Sequence, residues 1–157
     1  MSKTTPATLA LDRLGVVYEA FPYAYDPDGQ RVGLQAAEAL GRSPDQVFKT
    51  LMTLVDGKPA CVIIPSDAEV SMKKLATALK AKSAQMMKPA DAERLTGFKV
   101  GGISPFGQKR PVPTLMDETA VLFDQILING GARGLLLGLA PDEAQQAAGA
   151  ALVDLTA

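Results

Sequence analysis

The chain has 157 residues, 47% of them hydrophobic, with no histidine, a single cysteine and a formal net charge of −1. That length suits one domain, residues 1–157, with its own core. The composition excludes Ser-His-Asp and Cys-His catalysis, a histidine-based zinc site and an internal disulfide, so no metal is expected.

At the N-terminus, "MSKTTPATLALDRLG" breaks its apolar residues with Asp12 and Arg13. It reads as neither a signal nor a transit peptide, and no apolar run approaches the ~18 residues of a membrane span. With one cysteine, a reducing cytoplasmic setting is the expectation. Thr5 and Pro6 suit the N-cap and first position of a helix that Gly15 ends. "VVYEAFPY" predicts a strand, "AYDPDGQRVG" a loop, and "LQAAEALG" a short helix closed by Gly41. "SPDQ" reads as a capping box with Pro44 at the first helical position. A strand over 45–55 then pairs with "ACVIIP" through a "DGKP" turn.

Ser71 caps a helix through about residue 79, and "KPADAERLTG" gives another between Pro89 and Gly97. After the loop "VGGISPFGQKRPVP" come strand-like "TLMDE", "QILING" and "LLLGLA", a helix opened by Pro141, and a last strand "LVDL". Helices and strands mix without a regular βαβ rhythm, which predicts an α+β fold with a curved, partly closed mixed sheet.

Charge is unevenly spread. Residues 71–110 hold nine basic and two acidic residues, a window of +7 against −8 for the rest. An anionic partner such as nucleic acid, or a merely solvated helix face, would each account for it.

Three stretches could carry chemistry. In "DQVFKTLMTLV" both strand faces are apolar, yet Lys49 lies between Val47 and Leu51 on one of them. A buried ammonium needs an anion or a shifted pKa, unless it snorkels to solvent. In "GGISPFGQKRPVP", paired glycines can present backbone N–H groups to an oxyanion, and Lys109 with Arg110 can hold phosphate. The third, "NGGARGL", need be no more than a hairpin turn. Cys61, in "ACVII", reads as a buried apolar side chain rather than a nucleophile.

Together "PDQVFKTL", "TGFKVGGISPFGQK" with its following "PT", and "GGARGL" resemble the YbaK/EbsC family of free-standing aminoacyl-tRNA deacylases, kin to the editing domain of bacterial prolyl-tRNA synthetases. The match spans essentially the whole chain and is closest to the branch that clears cysteine from tRNA(Pro). It implies a small α+β pseudo-barrel with surrounding helices, whose pocket takes the aminoacylated 3′ end of tRNA, with no cofactor. Prolyl-tRNA synthetase is a partner the resemblance leaves open. Lys49 matches the family's essential lysine, near the terminal adenosine. Gly101, Gly102, Ile103, Ser104 and Pro105 match its GxxxP loop, expected to hold the substrate carbonyl. Tyr23 falls at a pocket tyrosine, and Gly130, Gly131 and Arg133 fall in its substrate-binding turn. Relatives often carry Asp after that turn, where this chain has Leu136.

The implied activity is hydrolysis of Cys-tRNA(Pro), with the substrate's own thiol as nucleophile. Two other readings stand beside it. One is a water-based deacylase for alanine or serine; the other is a non-catalytic module that binds tRNA ends or a synthetase.

Overall fold

The computed structural model describes residues 4–29 and 31–157, so the leader reading of residues 1–3 and the loop reading of Gln30 lie outside it. Helix α1 (Pro6–Leu14) starts as its sequence dictates: the Thr5 hydroxyl accepts from the Thr8 N–H, Thr8 returns the bond, and Gly15 closes the helix in the left-handed region. β1 (Glu19–Pro22) is shorter than expected. α2 (Val32–Leu40) begins two residues earlier than expected and ends at Gly41.

"SPDQ" is a correction. Residues 44–46 form a turn closed by the Gln46 N–H on the Ser43 carbonyl at 3.0 Å. The Ser43 hydroxyl bonds the Asp45 carboxylate, not a backbone N–H, and β2 begins at once.

β2 (Val47–Val55) and β3 (Lys58–Pro65) form the long central hairpin. α3 (Met72–Ala78) follows, capped by the Ser71 hydroxyl. β4 (Ala84–Met86) and a 3-10 turn at Glu118–Leu122 have no counterpart in the sequence pattern. α4 (Pro89–Thr96), β5 (Thr114–Asp117), β6 (Ile126–Asn129), β7 (Leu135–Leu139) and α5 (Pro141–Ala148) follow that pattern closely. β8 (Ala150–Val153) starts just after the Gly149 cap, two residues before the expected strand.

The strands build one mixed sheet in the order β1-β7-β6-β2-β3-β5-β8, with β4 also on β2. Three pairs are parallel, β2 with β6, β3 with β5 and β5 with β8. The sheet curls about a core of Phe48, Ile63, Met116, Ile128 and Leu137, closed by Leu11 of α1 and Ala144 of α5. The opposite face is covered by α3 through Leu75, packed on Val62 and Ile64. Burial on both faces explains why β2 and β3 are apolar on both.

One edge of β2 is divided between two partners. Val47 and Phe48 pair with β6, whereas Thr53 to Val55 pair with β4. Over residues 49–52 that edge has no strand neighbour among the described residues; only the Met52 carbonyl is used, by the Met87 N–H at 3.1 Å. The sheet opens there, and Lys49 lies in the opening.

Candidate active site

The gap in the sheet is the floor of a cavity of about 520 Å³, a size usual for a small-molecule site. β2 supplies Phe48 to Met52. The start of α2 contributes Val32 and Gly33, the β3–α3 connection Ser66 and Glu69, and the β4–α4 segment Met86, Met87 and Ala92. Gly101 and Ile103 close one side, and Asn129 and Leu136, from the β6–β7 hairpin, complete the wall.

Lys49 is half-buried, and its Nζ donates to the Ser66 carbonyl at 3.5 Å. Burial pushes its pKa below the ordinary lysine value. The Glu69 carboxylate opposes this, Arg31 adds to it, and Asp67 opposes it more weakly. No carboxylate lies within ion-pair distance of it among the described residues, since Glu69 is engaged by Arg31 at 2.8 Å. Lys49 therefore presents an incompletely neutralised charge to the cavity, the arrangement that attracts an anionic ligand.

Ser66 sets the lysine's height. Its N–H bonds the Val47 carbonyl at 2.8 Å and its hydroxyl the Pro44 carbonyl at 2.7 Å. α2 packs so tightly here that a Cβ on Gly33 would lie 2.4 Å from the Ser66 Cβ. Beside the lysine, the buried Thr50 hydroxyl has no hydrogen-bond partner among the described residues. A buried hydroxyl without a partner is costly.

The glycine loop is held from behind. Gly101 has φ +92°, a conformation that favours glycine. Its carbonyl accepts from Asn129 Nδ2 at 2.9 Å, while Asn129 Oδ1 accepts from the Gly131 N–H at 2.8 Å. The Gly102 N–H is spent on the Lys99 carbonyl at 2.8 Å. The N–H groups of Gly101 and Ile103 find no acceptor among the described residues, and both residues line the cavity. These two, rather than Gly102, are the donors available to a substrate oxygen.

Of the sequence-predicted residues, Lys49, Gly101 and Ile103 meet at the cavity. The others stand behind it. Gly102 is buried against the hairpin, where a Cβ would lie 2.9 Å from the Ala132 carbonyl carbon and the Arg133 nitrogen. The Ser104 side chain points away from any substrate role: it is fully buried, and its hydroxyl accepts from the Phe106 N–H at 3.2 Å. Pro105 is buried next to it. Tyr23 packs against the cluster that contains Leu136, outside the cavity wall. Its phenol has no hydrogen-bond partner among the described residues, and burial raises its pKa.

Gly130 and Gly131 turn the β6–β7 hairpin, where the Gly130 N–H bonds the Leu135 carbonyl at 2.9 Å. Arg133 is exposed. Its Nε donates to the Val100 carbonyl at 2.9 Å, and its guanidinium lies 5.6 Å from the Tyr25 ring centre. The turn thus braces the glycine loop. Cys61 is fully buried, off the cavity wall, and burial pushes its thiol up to about 12. Asn129, Ser66, Thr50 and Glu69 carry no signal in the sequence that would single them out.

Residues 28–147 match the aminoacyl-tRNA editing domain family. An Enterococcus faecalis protein whose name proposes a Cys-tRNA(Pro)/Cys-tRNA(Cys) deacylase, EbsC, is 34% identical over 139 residues, which is 88% of this chain and 84% of that protein. A proline–tRNA ligase of Acidithiobacillus ferrooxidans is 32% identical over 93 residues, 59% of this chain but only 16% of the ligase. A solved structure described as a candidate trans-editing enzyme for prolyl tRNA synthetase shares the fold, with a TM-score of 0.83 at 23% identity over 99% of both chains. The chain belongs to the aminoacyl-tRNA editing domain family.

Proposed function

We propose that the protein hydrolyses the ester of a wrongly charged tRNA in trans, with Cys-tRNA(Pro) as the preferred substrate. The observation that carries this reading is the convergence of Lys49, Gly101 and Ile103 on one cavity in a chain of this family. An aminoacyl ester is already activated, so a site that positions it and stabilises a developing oxyanion suffices.

In this reading Lys49 neutralises phosphate or ribose oxygens of the terminal adenosine, and the free N–H groups of Gly101 and Ile103 receive the carbonyl oxygen. The cavity wall carries no histidine or thiol, which favours a nucleophile brought by the substrate. The cysteine thiolate attacks its own carbonyl carbon, forming a C–S bond. The C–O bond to the ribose breaks, the ribose oxygen takes up a proton, and water opens the resulting thiolactone to free cysteine. The thiol proton is released when the thiolate forms.

The test is release of free amino acid from purified Cys-tRNA(Pro), Ser-tRNA(Pro) and Ala-tRNA(Pro) under single-turnover conditions. Rapid, cysteine-selective release is expected. Tight binding of charged tRNA without release would replace the reading with that of a binding module.

A further inference from the structure

A second concavity, about 500 Å³, lies on the other side of α4. Pro89 and Ala92 of that helix face the main cavity, whereas Asp91, Arg94 and Leu95 face the second, and Met87 belongs to both walls. The two sites are therefore separated by about one helix diameter, ~10 Å. The floor of the second is apolar, formed by Leu54, Pro59, Met87 and Leu95, and its rim carries Arg94, Lys109 and Arg110.

Two of those cations are uncommitted. Asp91 pairs with Arg94, whereas Lys109 and Arg110 have no ion-pair partner among the described residues. Their placement is fixed by the backbone: the Lys109 N–H bonds the Thr96 carbonyl at 2.8 Å, tying the loop to the end of α4. Other parts of the basic window are differently used. Lys74, on α3, is held by Asp154 at 2.9 Å and by the Thr156 carbonyl at 2.7 Å.

We propose that this cleft holds the backbone of the tRNA acceptor end, just before the terminal residue that enters the main cavity. The inference rests on the deacylase reading above and adds to it a place for the strand. Lys109 and Arg110 meet the phosphates, and the apolar floor takes a ribose or base face, the combination by which proteins hold single-stranded ends. The continuity of the two walls through Met87 and α4 favours the strand over an unrelated anionic partner.

The test compares Lys109→Glu/Arg110→Glu with Arg13→Glu/Lys80→Glu, an equal change of charge at exposed positions lining neither cavity. Binding of uncharged tRNA is followed over a salt series for each variant and for the wild type. Lys109→Glu/Arg110→Glu should weaken binding about tenfold at low salt and reduce the log–log salt slope by about two, one for each phosphate left without its cation. Lys109→Ala/Arg110→Ala should give a smaller loss of affinity with the same reduced slope. A loss no greater than that of Arg13→Glu/Lys80→Glu would overturn the proposal, leaving only net charge at work. The deacylase reading fails by a separate measurement, if the wild type releases no amino acid from any charged tRNA while the binding series still decides the cleft.

Discussion

Asn129 joins the two glycine loops of the site: its amide nitrogen bonds the Gly101 carbonyl at 2.9 Å, and its oxygen takes the Gly131 N–H at 2.8 Å. A carbonyl on one side and an N–H on the other fix the orientation of the amide. The bond to Gly101 engages that carbonyl, while the N–H groups of Gly101 and Ile103 keep no acceptor among the described residues. Asn129→Asp keeps the bond to Gly131 and replaces the other with a carboxylate against a carbonyl. It should slow single-turnover deacylation at least tenfold and, with a carboxylate buried against a carbonyl, cost at least as much stability as Asn129→Ala, which forfeits both bonds at about 1–3 kcal/mol. Wild-type rates in Asn129→Asp would show that the loop needs no such clasp.

Gly102 tests the same junction by volume. Its backbone needs no glycine-only conformation, so the only cost of a Cβ is its approach to Ala132 and Arg133 backbone atoms at 2.9 Å. Gly102→Ala should destabilise by about 1–3 kcal/mol, in the range of other overpacked positions, and also slow catalysis. Gly41→Ala is the contrast: φ is +65° in open space, so it should lose stability without losing rate. Denaturant titration and single-turnover rates on both variants separate the two effects.

Lys49 should divide function from stability. Losing one positioned charge from the site removes on the order of 2–4 kcal/mol of transition-state stabilisation, so Lys49→Met should nearly abolish deacylation. Its folded pKa is lowered, chiefly by burial, so the charged form is penalised in the fold. Below the folded pKa that penalty is fully present, and stability recovers as pH rises from the folded toward the unfolded value. Lys49→Met should therefore raise the melting temperature at neutral pH while destroying activity, as expected of a residue kept for function. A fall in melting temperature would instead make Lys49 a structural partner of Glu69.

The same sign predicts how ligand affinity depends on pH. A cationic Lys49 is lost as pH rises through its lowered pKa, so the decline begins below the pH at which an ordinary lysine titrates. A non-hydrolysable aminoacyl-adenosine amide should bind less tightly over that range. In Lys49→Arg the guanidinium stays charged, and whatever affinity remains should be flat there. An alkaline decline unchanged by the arginine would place the titrating group elsewhere.

Lys49 and the glycine loop are legible in the sequence because each breaks a local rule, one a charge on an apolar strand face and the other glycines in series. Their partners are not, because their roles come from distant pairing. Asn129 reads as an ordinary polar residue at a strand end until β6 runs alongside β2 and brings it to residue 101. Ser66 matters only because α2 packs on it through Gly33. β4 escapes the pattern for a related reason: three residues without alternation form a strand only because β2 offers them an edge. That edge, divided between β6 and β4, makes the cavity, and no local pattern in residues 47–55 announces the division. Ser104 promises more in the sequence than it delivers, since its hydroxyl is already spent on a turn.

The nucleophile gives the last prediction. With no histidine in the chain and Cys61 buried, with its thiol pushed up to about 12, the protein offers neither an imidazole nor a thiolate nucleophile at neutral pH. Turnover should then depend on a thiol in the substrate, and Cys-tRNA(Pro) should be cleared far faster than Ser-tRNA(Pro) or Ala-tRNA(Pro). Cavity size could not produce this, because a site of about 520 Å³ that admits cysteine also admits alanine, and discrimination per missing small group is only about 10–200-fold. Serine matches cysteine in shape, but its hydroxyl stays protonated near neutrality, whereas a thiol of pKa ~8.5 is a few per cent thiolate. The rate on Cys-tRNA(Pro), corrected for spontaneous hydrolysis, should rise with pH toward that value, while the rate on Ser-tRNA(Pro) should show no such step. Cys61→Ala should retain full activity. Equal rates for serine and cysteine would replace the substrate thiol with water, and an inactive but folded Cys61→Ala would return the nucleophile to the protein.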